Sequence, residues 1–198
     1  MFLEYREWPP ALRALGVSEL LGRVDLDYEL TDEGLAIAFD PAAIPVLDPP
    51  IFAKLGPKAL PRGLLRDMGH LPGLIETLTP NARAVVGLVA EQGALLALYL
   101  FRWTDFSQVS EFKLSITPDR VQLDAYVWRG ARSEPLTDGL RQSLEAFGAG
   151  MREHVSAGRF RADVALMPND DLRLIELNPA KSALLRGPKD LAITCTLP

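Results

Sequence analysis

The apolar run from Ala94 to Phe101 (ALLALYLF) is the tightest constraint in this 198-residue chain. It is far short of the roughly 20 residues needed to cross a bilayer, and too apolar to lie in water, so it reads as a buried strand. The residues before it have the opposite periodicity. Thr79-Pro80 has the form of an N-cap followed by proline at the first helical position, and the helix predicted there runs to about Gln92 and stops at Gly93. Apolar residues make up 48% of the chain, enough for a substantial core and against disorder.

Other segments are read in the same way. Leu12, Leu15, Leu20 and Leu21 have helical spacing over about residues 10–21. Strands are expected around Val24–Leu30 and Leu35–Phe39, across the turn Thr31-Asp32-Glu33-Gly34. Four prolines in residues 40–50 predict an extended linker. The short strand Ile51–Leu55 leads into GPKALPRG, read as a basic loop. Two more strands, Glu111–Thr117 and Val121–Trp128, flank Pro118-Asp119-Arg120. Leu140, Leu144, Phe147, Met151 and Val155 mark one face of a helix over residues 137–155. The expected class is α+β, with mostly antiparallel strands and packed helices. Residues 1–49 form an N-terminal segment without a clear role, and 50–198 form the main domain, unless 1–198 is one continuous domain.

Charge and cysteine content remove several function classes. The formal net charge is −5, so no global basic surface suggests nucleic-acid binding. One cysteine, Cys195, excludes an intrachain disulfide and fits a reducing cytoplasm. The N-terminal MFLEYREWPP carries no apolar signal core, and no segment predicts a membrane partner. His70 and His154 have no ligand neighbours at zinc spacing.

The chemistry concentrates in FRADVALMPNDDLRLIELNPA, residues 160–180, read as a hairpin of Phe160–Met167 and Leu172–Leu177. A turn centred on Asn169-Asp170 sets Met167 opposite Leu172 and Asp163 opposite Glu176. Asn178 lies two residues beyond Glu176 and so on the same side of its strand. Two facing carboxylates on a partly apolar face repel each other, and nothing local neutralises them. One must take a proton, or a cation must sit between them. Carboxylate and carboxamide oxygens suit magnesium, which completes its shell with water and phosphate. Exposed acids at a hairpin end, with Asn178-Pro179 closing the strand, remain the plain structural alternative.

DVALMPNDDLRLIELNP resembles the closing motif of the ATP-grasp superfamily, in which an Asp and a later Glu-x-Asn or Asp-x-Asn bind magnesium. FAKLGPKALPRG resembles the superfamily's first nucleotide-lysine strand and the basic loop after it. LYLFRWTDFSQVSEFKLSI resembles its stretch of Leu-Arg, an aromatic residue and Glu-Phe-Arg. This order is closest to the cell-division-cycle ATP-grasp assembly chaperones and their bacterial relatives.

The resemblance implies a compact or truncated ATP-grasp-like fold that takes ATP and magnesium. Lys54 would contact phosphate, with Lys58 or Arg62 assisting. Arg102 would sit near the phosphates and Glu111 at the site entrance or the adenine side. Asp163, Glu176 and Asn178 would carry the magnesium. Phe52, Leu100 and Leu174 would form the adenine slot. The implied activity is a carboxylate–amine ligase working through an acylphosphate on a small-molecule acceptor. An ATP-dependent assembly factor that grips a protein partner without ligase chemistry is the alternative, and a degenerate domain that binds nothing is a third. Two departures stand out: the arginine after Glu-Phe is Lys113 here, and little chain precedes Lys54 to build an N-terminal lobe.

Overall fold

The computed structural model describes residues 5–38, 40–44, 46, 48, 50–128, 136–155, 158–179 and 190–196. In chain order the elements are α1 (Pro10–Ala14), β1 (Leu20–Thr31), β2 (Gly34–Ala38), β3 (Ile51–Leu55) and β4 (Lys58–Leu65). These are followed by α2 (Leu71–Glu76), α3 (Pro80–Glu91), β5 (Leu96–Arg102), β6 (Ser110–Ile116) and β7 (Val121–Trp128). The last are α4 (Asp138–Arg152), β8 (Phe160–Leu166), β9 (Leu172–Pro179) and β10 (Ile193–Thr196). The class is α+β, as expected. Among these residues no helix is long and apolar enough to cross a membrane.

The chain divides into two compact units. One comprises Met1–Val17 with Thr104–Ala180, the other Ser18–Trp103 with Lys181–Pro198. The second unit holds a six-stranded sheet in the order β10-β2-β1-β5-β3-β4. All its described pairings are antiparallel except β10 with β2. β5 lies inside this sheet, between β1 and β3, and every residue from Leu96 to Leu100 is fully buried. That is the place the apolar run demands, because a central strand covered on both faces has no polar side. Thr79 caps α3 by accepting from the Ala82 amide, and Gly93 ends the segment at φ +61°, where a side chain would be strained.

Two expectations need correction in this part of the chain. GPKALPRG is not a loop: Gly56, at φ +54°, turns the chain, and Lys58–Leu65 returns as β4. Pro61 is tolerated because β4 is an edge strand and its pairing with β3 is irregular between Phe52 and Lys54. The proline-rich segment also begins with a short 3-10 turn, Pro41–Ala43, rather than extended chain.

The first unit holds a four-stranded antiparallel sheet in the order β7-β6-β8-β9. One face of it packs on α4, whose N-cap is Thr137, bonded to the Leu140 amide. Phe112, Leu114, Ile116, Ala162, Val164, Leu174 and Leu177 join Leu144 and Met151 in this core. Trp8 and Leu12 from the N-terminal segment complete it. The first helix is shorter than its leucine spacing predicts. After Leu15 the chain is drawn out along the edge of β9, where the Val17 amide donates to Leu174 O at 2.9 Å and the Leu174 amide donates to Leu15 O at 2.7 Å. Leu20 and Leu21 therefore begin β1.

Candidate functional site

The polar side chains of interest line the face of the four-stranded sheet away from α4. Strand alternation puts them there. On β6, Phe112 and Leu114 enter the core, so Glu111 and Lys113 face the other way. On β8, Ala162 and Val164 enter the core, leaving Arg161 and Asp163 on the opposite side.

β9 reaches the same result by a less regular route. Leu174 and Leu177 both lie in the core although they are three residues apart, a spacing that a regular strand cannot accommodate. A bulge resolves it: Asp163 pairs with Glu176 and Val164 with Leu174, so the register with β8 steps over Ile175. Glu176 and Asn178 are thereby turned to the side of Asp163.

This corrects the expected register at the tip. Leu172 faces Leu166 rather than Met167, because the turn is centred on Asn169 alone rather than on Asn169-Asp170. The Met167 amide donates to Asp171 O, and Asp170 adopts φ +65°. The bulge then restores the offset by the level of Asp163, so the Asp163–Glu176 pairing holds while its neighbours change. Leu174 is fully buried in the core on the far face, so it is not an adenine-slot residue beside the acids.

The central row of this face runs Lys113, Asp163, Glu176 across three strands. Lys113 Nζ lies 2.9 Å from Asp163 Oδ2 and 3.3 Å from Glu111 Oε1. Asn178 donates from Nδ2 to Glu176 Oε1 at 2.8 Å. Asp163, Glu111 and Asn178 are buried, whereas the Lys113 side chain keeps 29% of its exposure. The expectation that nothing local neutralises the acids is overturned: β6 brings the Lys113 ammonium to Asp163. Beside this row, Asp124 accepts from the Ser115 hydroxyl and lies 3.5 Å from Arg161 Nε. That Nε is buried and has no hydrogen-bond partner among the described residues.

Burial raises the Asp163 pKa above its usual value of 3.8, and the charge of Glu176 adds to the effect. The hydrogen bond and charge of Lys113 oppose it. For Lys113, burial lowers the pKa, but Asp163 and then Glu111 outweigh it, so the net shift is upward from 10.5. A carboxyl with a raised folded-state pKa binds its proton more tightly when folded. Its contribution is most favourable below about pH 3.8 and declines as pH rises through the raised value. Asp163→Asn mimics the protonated form. Relative to this variant, the wild type is expected to lose stability from pH 4 to pH 7 in denaturant titrations; a relative gain would refute the shift.

The remaining sequence-derived candidates lie in the other unit, except Glu111. Lys54 is buried, with Nζ 5.8 Å from the Phe52 ring centroid and 6.0 Å from that of Phe101. Lys58 opens β4 and is half-buried. Arg62 also lies in β4, but its side chain is outside the described residues. Arg102 closes β5, is exposed, and pairs with Glu19 at 2.9 Å. Leu100 is fully buried between β1 and β3. Sequence reasoning gave no role to Arg161 or Asp124. The two-residue spacing from Arg161 to Asp163 was a usable signal, since it puts both on one face of β8.

No group of three or more His, Cys, Asp or Glu residues among the described residues is arranged to hold a metal. A cation here would rest on two carboxylates and a carboxamide, which fits magnesium's habit of keeping few protein ligands.

No protein-family model and no curated protein matches the chain. Among solved structures, it is similar to an L-amino acid ligase from Bacillus licheniformis, at TM-score 0.48 and 11% identity, over 92% of this chain and 41% of the ligase. It is also similar to a D-alanine-D-alanine ligase from Helicobacter pylori, at TM-score 0.45 and 13% identity, over 88% of this chain and 53% of the other. An N5-carboxyaminoimidazole synthetase from Staphylococcus aureus aligns at TM-score 0.38 and 12% identity, over 85% and 41%. The chain thus spans only 41–53% of the length of these proteins.

Proposed function

We propose that this chain binds ATP with magnesium in the manner of the ATP-grasp superfamily, with Asp163, Glu176 and Asn178 holding the metal. The observation that carries the reading is the pairing of Asp163 with Glu176, with Asn178 bonded to Glu176, on a sheet face turned away from the core. The closing-motif resemblance in the sequence supports it independently. A bound magnesium ion would neutralise phosphate charge and orient the phosphates. The chain's own part is positioning: Lys113 and Arg161 add positive charge beside the acids, and the buried β6–β8–β9 framework fixes their spacing.

The reaction that suits such a site is carboxylate activation. The carboxylate oxygen attacks the γ-phosphorus and ADP leaves. An amine then attacks the acyl carbon and phosphate leaves. No protein nucleophile is needed. Lys54, Lys58, Arg62 and Arg102 are proposed to serve the nucleotide.

Thermal unfolding of the wild type and Glu176→Gln, each with ATP and magnesium separately and together, tests the binding step. Ligand at a hundredfold excess over Kd raises native-state stability by about 2.7 kcal/mol. A wild-type shift that needs both components and is lost in Glu176→Gln is the expected result. No shift at millimolar ATP would remove the nucleotide reading. Binding without a ligated product from any carboxylate–amine pair would favour the assembly-factor alternative.

A further inference from the structure

Resting on the reading that Asp163, Glu176 and Asn178 hold a divalent cation, we propose that Lys113 is an exchangeable counter-ion. Its ammonium guards Asp163 until metal and nucleotide arrive together, and then turns to the nucleotide's phosphate. The juxtaposition behind this is specific. Nζ of Lys113 lies 2.9 Å from Asp163 and 3.3 Å from Glu111. The two carboxylates keep 8% and 6% of their side-chain exposure, while the lysine keeps 29%. Lys113 is thus the most exposed member of the group and lies against acids that water reaches poorly.

A metal ion on Asp163 must share a carboxylate whose Oδ2 already carries a charge-assisted hydrogen bond from Lys113. Bare magnesium, which dehydrates reluctantly, gains little by displacing the ammonium if that ammonium then has no anion to meet. A phosphate-bearing ligand removes the obstacle, because it offers the displaced ammonium a new anion. The flexible four-carbon stem of lysine permits the exchange, whereas the planar guanidinium of arginine would hold the carboxylate in two bonds. Metal and nucleotide therefore each raise the other's affinity, and the coupling passes through one side chain.

The experiment titrates manganese, followed by its electron paramagnetic resonance signal, into the full chain with and without a non-hydrolysable ATP analogue. Wild type, Lys113→Gln, Lys113→Arg and Glu176→Gln are compared. In the absence of nucleotide, Lys113→Gln is expected to bind manganese about tenfold more tightly than wild type and Lys113→Arg more weakly. The gain in manganese affinity on adding the analogue should shrink about tenfold in Lys113→Gln.

Equal bare-metal affinity across all three Lys113 forms, with unchanged coupling, overturns the exchange while leaving the metal site standing. Metal binding that Glu176→Gln does not weaken overturns the site itself, and the exchange with it. Should Lys113→Gln fail to fold, Lys113→Arg decides the question: bare-metal binding equal to or tighter than wild type would refute the proposal.

Discussion

Truncating Phe112 to alanine is expected to lower unfolding stability by about 3–5 kcal/mol. The ring is fully buried among Leu114, Val164, Leu174 and Met151. The alanine leaves a cavity that surrounding strands cannot close without breaking their ladders. The effect reaches function because Phe112 lies between Glu111 and Lys113 on β6. Its anchoring in the core holds those two side chains at hydrogen-bonding distance from the partners they meet. Phe112→Leu retains most of the apolar volume and is expected to cost less than half as much. Urea denaturation of the three forms measures the difference, and a loss below ~1 kcal/mol for Phe112→Ala would mean that the site tolerates collapse of its core.

The second large effect is expected in the other unit, at Arg83. Its guanidinium ties three backbone carbonyls: Leu78 O at 2.9 Å, Glu76 O at 2.6 Å and Leu191 O at 2.9 Å. Glu76 ends α2, where helix-end carbonyls lack partners, Leu78 follows it, and Leu191 precedes β10. Glu76 reinforces the link by accepting from the Cys195 amide at 3.1 Å. Arg83→Met keeps the aliphatic stem but loses all three bonds, at an expected cost of about 3 kcal/mol. Arg83→Lys should recover only a minor part, because one ammonium cannot span three divergent carbonyls. Full rescue by lysine would show that charge, not geometry, is what matters. Hydrogen exchange at the amides of Thr194 and Thr196 gives a local readout, since loosening of β10 should appear there first.

The sequence disclosed the elements with strong periodicity and clear ends. The helix from Thr79, the buried run at β5 and the amphipathic α4 could be read because cap, apolar face and stop agreed with one another. The hairpin of β8 and β9 was legible in its pairing of Asp163 with Glu176 but not in its path. No residue pattern announces that Ile175 will bulge; the cause is that Leu174 and Leu177 both need the core, which only packing reveals. β4 was hidden by Pro61 and Gly56, since turn-forming residues read as loop unless the strand is known to be an edge. β10 was hidden by its brevity. The pairing of Lys113 with Asp163 was out of reach because it depends on β6 lying beside β8, a long-range choice that local spacing does not determine.

The parallel pairing of β10 with β2 has a consequence for how the polypeptide is born. Ile193 aligns with Leu35, so β2 must wait on one side for residues made near the other end of the chain. A ribosome emits β6 to β9 earlier, and because their antiparallel pairings use only residues of Ser110–Pro179, that sheet can close while synthesis continues. Until Ile193–Thr196 emerges, the nascent β2 shows a bare hydrogen-bonding edge beside Leu35 and Ile37, both fully buried in the finished fold. The interval between those two events is when this edge is most open to mispairing, and slowing translation after β9 would lengthen it.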